Sequence, residues 1–179
     1  MRLIETGDNY NGMNTEAEIR DNLIAEMQSV FGSDQKRIKH AMEVLNFADQ
    51  INAECRADCT IVTAAAILHD IGIQRAEKKH NSNAGKYQEI EGPPIAKEIL
   101  TRLGIEPDAI DHICRIIANH HSAKDKATAN TKEFKVIWDS DWLVNFADIY
   151  PDISDNRKTE LIEKIFKTQK GYQLGQEHL

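Results

Sequence analysis

Several side chains of this 179-residue sequence have the chemistry to hold a metal ion or move a proton: His40, His69, Asp70, His80, His120, His121, Asp139 and Asp141. Three short stretches concentrate them, LHDIG around His69 and Asp70, ANHHS around His120 and His121, and IWDSDWL around Asp139 and Asp141. Imidazole nitrogens mixed with carboxylate oxygens suit Mn, Fe, Co, Ni or Zn better than Ca or Mg. Such an ion polarises a phosphoryl oxygen and brings the pKa of a bound water towards neutrality. With seven histidines in the chain, one His-Asp dipeptide is weak evidence. The ordered set, with one lone histidine upstream, is the signal.

The elements that must position these groups all read as helices. Thr15 is an N-cap followed by Glu16 and Glu18, and Ile19, Leu23, Met27 and Val30 recur at helical spacing up to Gly32. A second helix starts at Ser33 or Asp34 and carries Ile38, Ala41, Met42, Leu45, Ala48 and Ile51, with His40 at the edge of that face. Asp58 caps a third, CTIVTAAAILHDIG, apolar nearly all round and therefore expected at the centre, with the His69–Asp70 pair at its end. Polar groups there are costly without partners, and a metal ion satisfies both. From Ile73 to Ile90 the pattern is lost, and the stretch reads as a long loop, a lid or substrate wall. Helix resumes at EGPPIAKEIL with the prolines in its first turn, then over Glu106–His121, Glu133–Ile149 and Ser154–Gln169. Gly171 and Gly175 predict a frayed end, and residues 1–14 an irregular arm. No strand-like alternation is sustained, so the expected fold is an all-α bundle of about seven helices in one domain. Its core spans about residues 15–150, with a C-terminal helical addition over 151–179.

On a helix His120 and His121 point about 100° apart, so at most one of them faces a shared centre. Trp138 and Trp142, at i and i+4, read as core. A net charge of -7 disfavours a broad grip on nucleic acid polymers, although a bound ion still makes a locally positive pocket for a small phosphate. Cys55, Cys59 and Cys114 form no Cys-x-x-Cys and fit a reduced, cytoplasmic setting. No apolar run is long enough for a membrane span, and no secretory signal is visible at the N-terminus.

The ordered set, His40, then His69 with Asp70, then an Asp of IWDSDWL, resembles the HD superfamily of metal-dependent phosphohydrolases. The resemblance covers Ile38 to Leu143 and implies that a helix-borne His, a His-Asp pair and a distant Asp hold one metal inside a bundle of helices. Because the late segment of that family tends to read Asp-x-x-x-Leu, the resemblance assigns Asp139, four before Leu143, with Asp141 as the fallback. The implied cofactor is one divalent transition metal (Mn, Fe, Ni, Zn or Co) with room for a weaker second ion. The implied partner is a small phosphorylated substrate, a nucleotide among the classes, with no nucleic acid polymer, no membrane, and a homodimer left open.

Roles follow from the chemistry of the ligands. Asp70 holds the nucleophilic water as well as the metal, and His120 or His121 holds a phosphate oxygen or protonates the leaving group. Lys78, Lys79 and Lys86 attract substrate charge from the loop. The sequence departs from the family twice. Gln88 stands four before Gly92, where two-metal members carry a histidine, and Ile73 stands where the nucleotide 5′-phosphatases carry an acid. A di-iron oxygenase and a non-catalytic metal- or ligand-binding regulatory module are the alternatives.

Overall fold

The computed structural model describes residues 15–179; the arm expected over residues 1–14 lies outside the described residues. Ten helical segments run through them with no strand among them: α1 (Glu16–Phe31), α2 (Gln35–Cys55), α3 (Cys59–Leu68), α4 (Ile73–His80), α5 (Gly85–Arg102), α6 (Pro107–Ile117), α7 (Lys126–Ala129), α8 (Lys132–Ile149), α9 (Asp155–Ile165) and α10 (Gln169–His178). The starts are those the capping residues announce. Thr15 and Glu18 close a capping box on α1, while Asp34 and Asp58 accept from Arg37 N and Ile61 N to cap α2 and α3.

The apolar α3 is the axis of the bundle. Val62, Ala64, Ala65, Ala66, Ile67 and Leu68 are all buried, and their small side chains let α1, α2, α6 and α8 close around them. The most extensive packing joins α2 to α8, and Ala41, Val44, Leu45, Ala48 and Ile51 of α2 share one core with Phe134, Val136 and Ile137 of α8. No helix among the described residues is long and apolar enough to cross a membrane.

Four expectations need correction. The stretch Ile73–Ile90 is not a structureless loop: Ile73–His80 is helix and α5 begins at Gly85. Ala76 is buried, Arg37 pairs with Glu77 at 2.6 Å, and Asn81 closes α4 in the left-handed conformation at φ 50°. The short apolar signal is hidden by a run of charges, of which Glu77 and Lys79 make tertiary ion pairs while Arg75 and Lys78 stay exposed. Secondly, Pro93 and Pro94 lie inside α5, not in its first turn. Proline disfavours helix for the residue before it through a clash with that residue's side chain; here Gly92, with no Cβ, precedes the pair and packs its backbone directly on Gly72.

Thirdly, α6 stops at Ile117, so ANHHS is a turn and not helix. Finally, the C-terminus is not frayed. Thr168 caps α10 by accepting from Gly171 N, and Gly171 lies so close to the Asp139 carboxylate that a side chain there would collide with it.

Candidate metal centre

α2, α3 and α8 bring His40, His69 and Asp141 together, close enough for one ion to take an atom from each. His40 Nε2 lies 3.1 Å from His69 Nε2 and 3.2 Å from Asp141 Oδ1. His69 is fully buried, and its Nδ1–H donates to the Ala66 carbonyl at 2.8 Å. That bond keeps a proton on Nδ1, so that loss of the other proton leaves the lone pair on Nε2, on the side of His40. Asn145 donates to Asp141 Oδ1 at 2.7 Å from one turn further along α8.

A second trio adjoins the first: Asp70, His120 and His121. Asp70 reaches the first trio as well, with Oδ2 at 3.6 Å from His40 Nε2 and from His69 Nε2, and Oδ1 at 3.4 Å from His120 Nε2. His120 repeats the device of His69, its Nδ1–H donating to the Ile117 carbonyl at 2.6 Å. In their neutral forms His69 and His120 therefore turn Nε2 lone pairs towards a shared centre, one from each trio.

Without an ion, the carboxylates and imidazoles set one another's charge. Burial opposes charge on His69, but Asp70 and Asp141 outweigh it and raise its pKa to about 9. Burial likewise opposes ionisation of Asp70 and Asp141, yet the surrounding imidazoles hold both carboxyls well below the usual carboxylate range. His121 goes the other way: burial, with the neighbouring His120, lowers it to about 4. Two buried polar atoms, Asp70 Oδ1 and His120 Nε2, have no hydrogen-bond partner among the described residues although they face one another. Such orphans cost about 1–3 kcal/mol each unless something satisfies them, and a divalent cation between a carboxylate oxygen and an imidazole lone pair does so. The residues fit a metal.

Against this geometry the expected ligand Asp139 must be corrected to Asp141. Asp139 is fully buried but points the other way, accepting from Lys167 N and Thr168 N at 2.8 Å and from the Thr168 hydroxyl at 2.7 Å. It anchors the entry to α10. The physical reason is that α8 is buried on two faces. Phe134, Ile137 and Asp141 turn one way, Val136, Asp139, Leu143 and Phe146 another, so each phase carries an Asp. The separation of His120 and His121 is corrected too: off the helix, both rings turn towards Asp70, with His121 Nε2 at 3.9 Å from Oδ1.

The structure brings none of the remaining candidates into either trio. His80 stacks on Tyr87 and sits 2.8 Å from buried Glu91. Lys79 pairs with the same Glu91 at 2.8 Å, Lys86 lies 4.6 Å over the Tyr87 ring, and Lys78 lines a groove with Gln74, Arg75 and Arg102. Gln88, buried on α5, donates its amide to the Asn83 carbonyl at 2.6 Å and turns its oxygen to His121 Nε2 at 3.3 Å. That arrangement makes His121 Nε2 the proton-bearing nitrogen.

The HD domain family model matches residues 37–146, well over half of the chain. The chain belongs to the HD domain family. Among solved structures, this HD domain is similar to a predicted HD superfamily hydrolase from an uncultured Thermotogales bacterium, at 18% identity and TM-score 0.65, over 88% of this chain and 83% of that one. It is also similar to Bacillus subtilis YpgQ, at 22% identity and TM-score 0.64, over 92% of this chain and 90% of that one. At these identities the likeness is one of fold. No curated protein matches the sequence.

Proposed function

We propose that this HD domain is a metal-dependent hydrolase of phosphate ester or anhydride bonds in a small phosphorylated substrate, with nucleotides the first class to test. The observation that carries the reading is the pair of buried, unpartnered atoms, Asp70 Oδ1 and His120 Nε2, at the junction of two ligand trios. His40, His69, Asp70 and Asp141 would hold the principal ion, and Asp70 and His120 a weaker second one. A divalent ion there supplies Lewis acidity towards a phosphoryl oxygen and acidifies water.

The chain's own residues divide the remaining work. Asp70, ionised and reaching both trios, orients the attacking water through Oδ1. His121 is the more exposed of the two turn histidines, yet burial, with the adjacent His120, keeps it neutral. With a pKa of about 4 it is a poor source of a full proton near neutrality, so it acts as a neutral hydrogen-bond donor, its Nε2–H passing from the Gln88 oxygen to a phosphoryl oxygen when substrate enters. Lys78, Lys79 and Lys86 put positive charge on the α4–α5 wall to draw an anionic substrate towards an otherwise acidic protein.

The test is a screen of the purified, Mn-loaded protein for phosphate or pyrophosphate release from nucleotides and sugar phosphates, with Asp70→Ala alongside. Release by the wild type that vanishes in the variant supports the reading. No release across the panel from folded, metal-loaded protein turns it towards a di-iron oxygenase, checked by two irons per chain and a charge-transfer band, or towards a non-catalytic module.

A further inference from the structure

The turn that carries His120 and His121 has no regular structure of its own: α6 has ended at Ile117, and Ala123 takes a left-handed φ of 47°. Irregular backbone of this kind holds two side chains in register only when its polar groups are tied to something rigid. One side chain does most of that tying. Glu89, on α5, has a side chain only 2% exposed. Its Oε1 accepts from His121 N at 3.2 Å and Ser122 N at 2.8 Å, and its Oε2 accepts from the Ser122 hydroxyl at 3.0 Å and Lys124 Nζ at 3.2 Å. Burial works against its charge, but the Ser122 and Lys124 donors keep its pKa below the ordinary carboxylate value. Helix α5 reaches the same turn twice more, through Gln88 at His121 Nε2 and through Gly85, where a side chain would come within 2.6 Å of the His121 ring.

We propose that Glu89 is the positioning residue of the His120–His121 half of the centre, acting through the backbone of the turn and touching neither ion nor substrate. The consequence for hydrolysis rests on the functional reading above; the positioning itself does not. Outer partners of this kind typically change metal affinity or activity about 10- to 100-fold when removed.

The first readout uses metal-free protein. In imidazole proton–nitrogen NMR spectra, Glu89→Gln, which keeps the shape and loses the charge, should shift or broaden the His120 and His121 signals and leave those of His40 and His69 in place. A Co(II) titration of the same variant should show affinity lowered about 10- to 100-fold at the ion that uses His120, with recovery in Glu89→Asp. Superimposable His120 and His121 signals, or equal displacement of all four imidazoles, would overturn the proposal, the latter by reducing Glu89 to general scaffolding. If Glu89→Gln does not fold, Ser122→Ala carries the test. It removes one donor to Oε2, should displace the His121 signal alone by a smaller amount, and overturns the proposal if that signal stays put. A wild type that binds no Co(II) sinks the metal reading, while the metal-free spectra still decide this one.

Discussion

The two halves of the centre are built differently. His40 and Asp141 stand in the bodies of α2 and α8, the most extensively packed pair in the molecule, and His69 follows directly on the buried α3. Their atoms lie 3.1–3.5 Å apart and already interact with one another. His120 and His121 sit on a turn, and their contact to Asp70 leaves two buried atoms unsatisfied. One half is fixed by the core itself; the other is held from outside by a single carboxylate and a glutamine on α5. If the proposed function holds, a centre made this way would keep one ion firmly and could adjust the groups around a second without disturbing the core.

The largest effect should come from the residue common to both halves. Asp70→Ala should abolish hydrolysis and lower bound metal in both trios, measured by metal analysis and product release. It should also leave His69 without one of the two carboxylates that charge it, bringing the His69 pKa down, as read by NMR.

Next is the choice between the two aspartates of α8. Asp141→Asn should lose most of the bound metal. Asp139→Ala should keep the metal and instead destabilise the fold by about 1–3 kcal/mol, the cost of leaving the Lys167 and Thr168 amides without their acceptor. Equal metal loss in both variants would erase the distinction drawn here.

The halves should also differ in pH response. In the metal-free protein His69 titrates near 9, above its ordinary 6.5. The stability this contributes is fully present below 6.5 and is lost as the pH rises through about 9. Metal competes with that proton, so affinity should rise with pH over the same interval. His121, lowered to about 4, should contribute no pH dependence near neutrality. Thermal unfolding with and without Mn between pH 6 and 9 checks both statements. The smallest effect expected is that of Gly85→Ala, whose added methyl presses on the His121 ring. Turnover should fall several-fold with little change in melting temperature or in the first ion's affinity.

Much of this was legible in the sequence. Caps at Thr15, Asp34 and Asp58 and the apolar α3 place His40, His69 and Asp70 before any tertiary information. The limits have physical causes. Both phases of α8 are buried, so periodicity cannot choose between Asp139 and Asp141. What chooses is Thr168, 29 residues away, which claims Asp139 to start α10. The charges of α4 conceal a helix because their partners, Arg37 and Glu91, lie 40 and 12 residues away. Glu89 reads as one more surface acid in YQEIEG, and nothing local reveals the backbone amides of a turn 33 residues later that bury it. Only the paired requirement of His120 and His121 for a fixed turn could have prompted a search for it.

The proline pair of α5 has an effect beyond geometry. Pro93 and Pro94 place two consecutive residues without an amide proton at the boundary between Gly85–Gly92, which serves the centre, and Ile95–Arg102, which serves the core. Hydrogen-bond cooperativity along the helix is interrupted there. In hydrogen–deuterium exchange the first segment should therefore open as its own unit, with protection set by Glu89 and Gln88, while the second exchanges only with global unfolding. One continuous helix thus contributes to two separate units of stability.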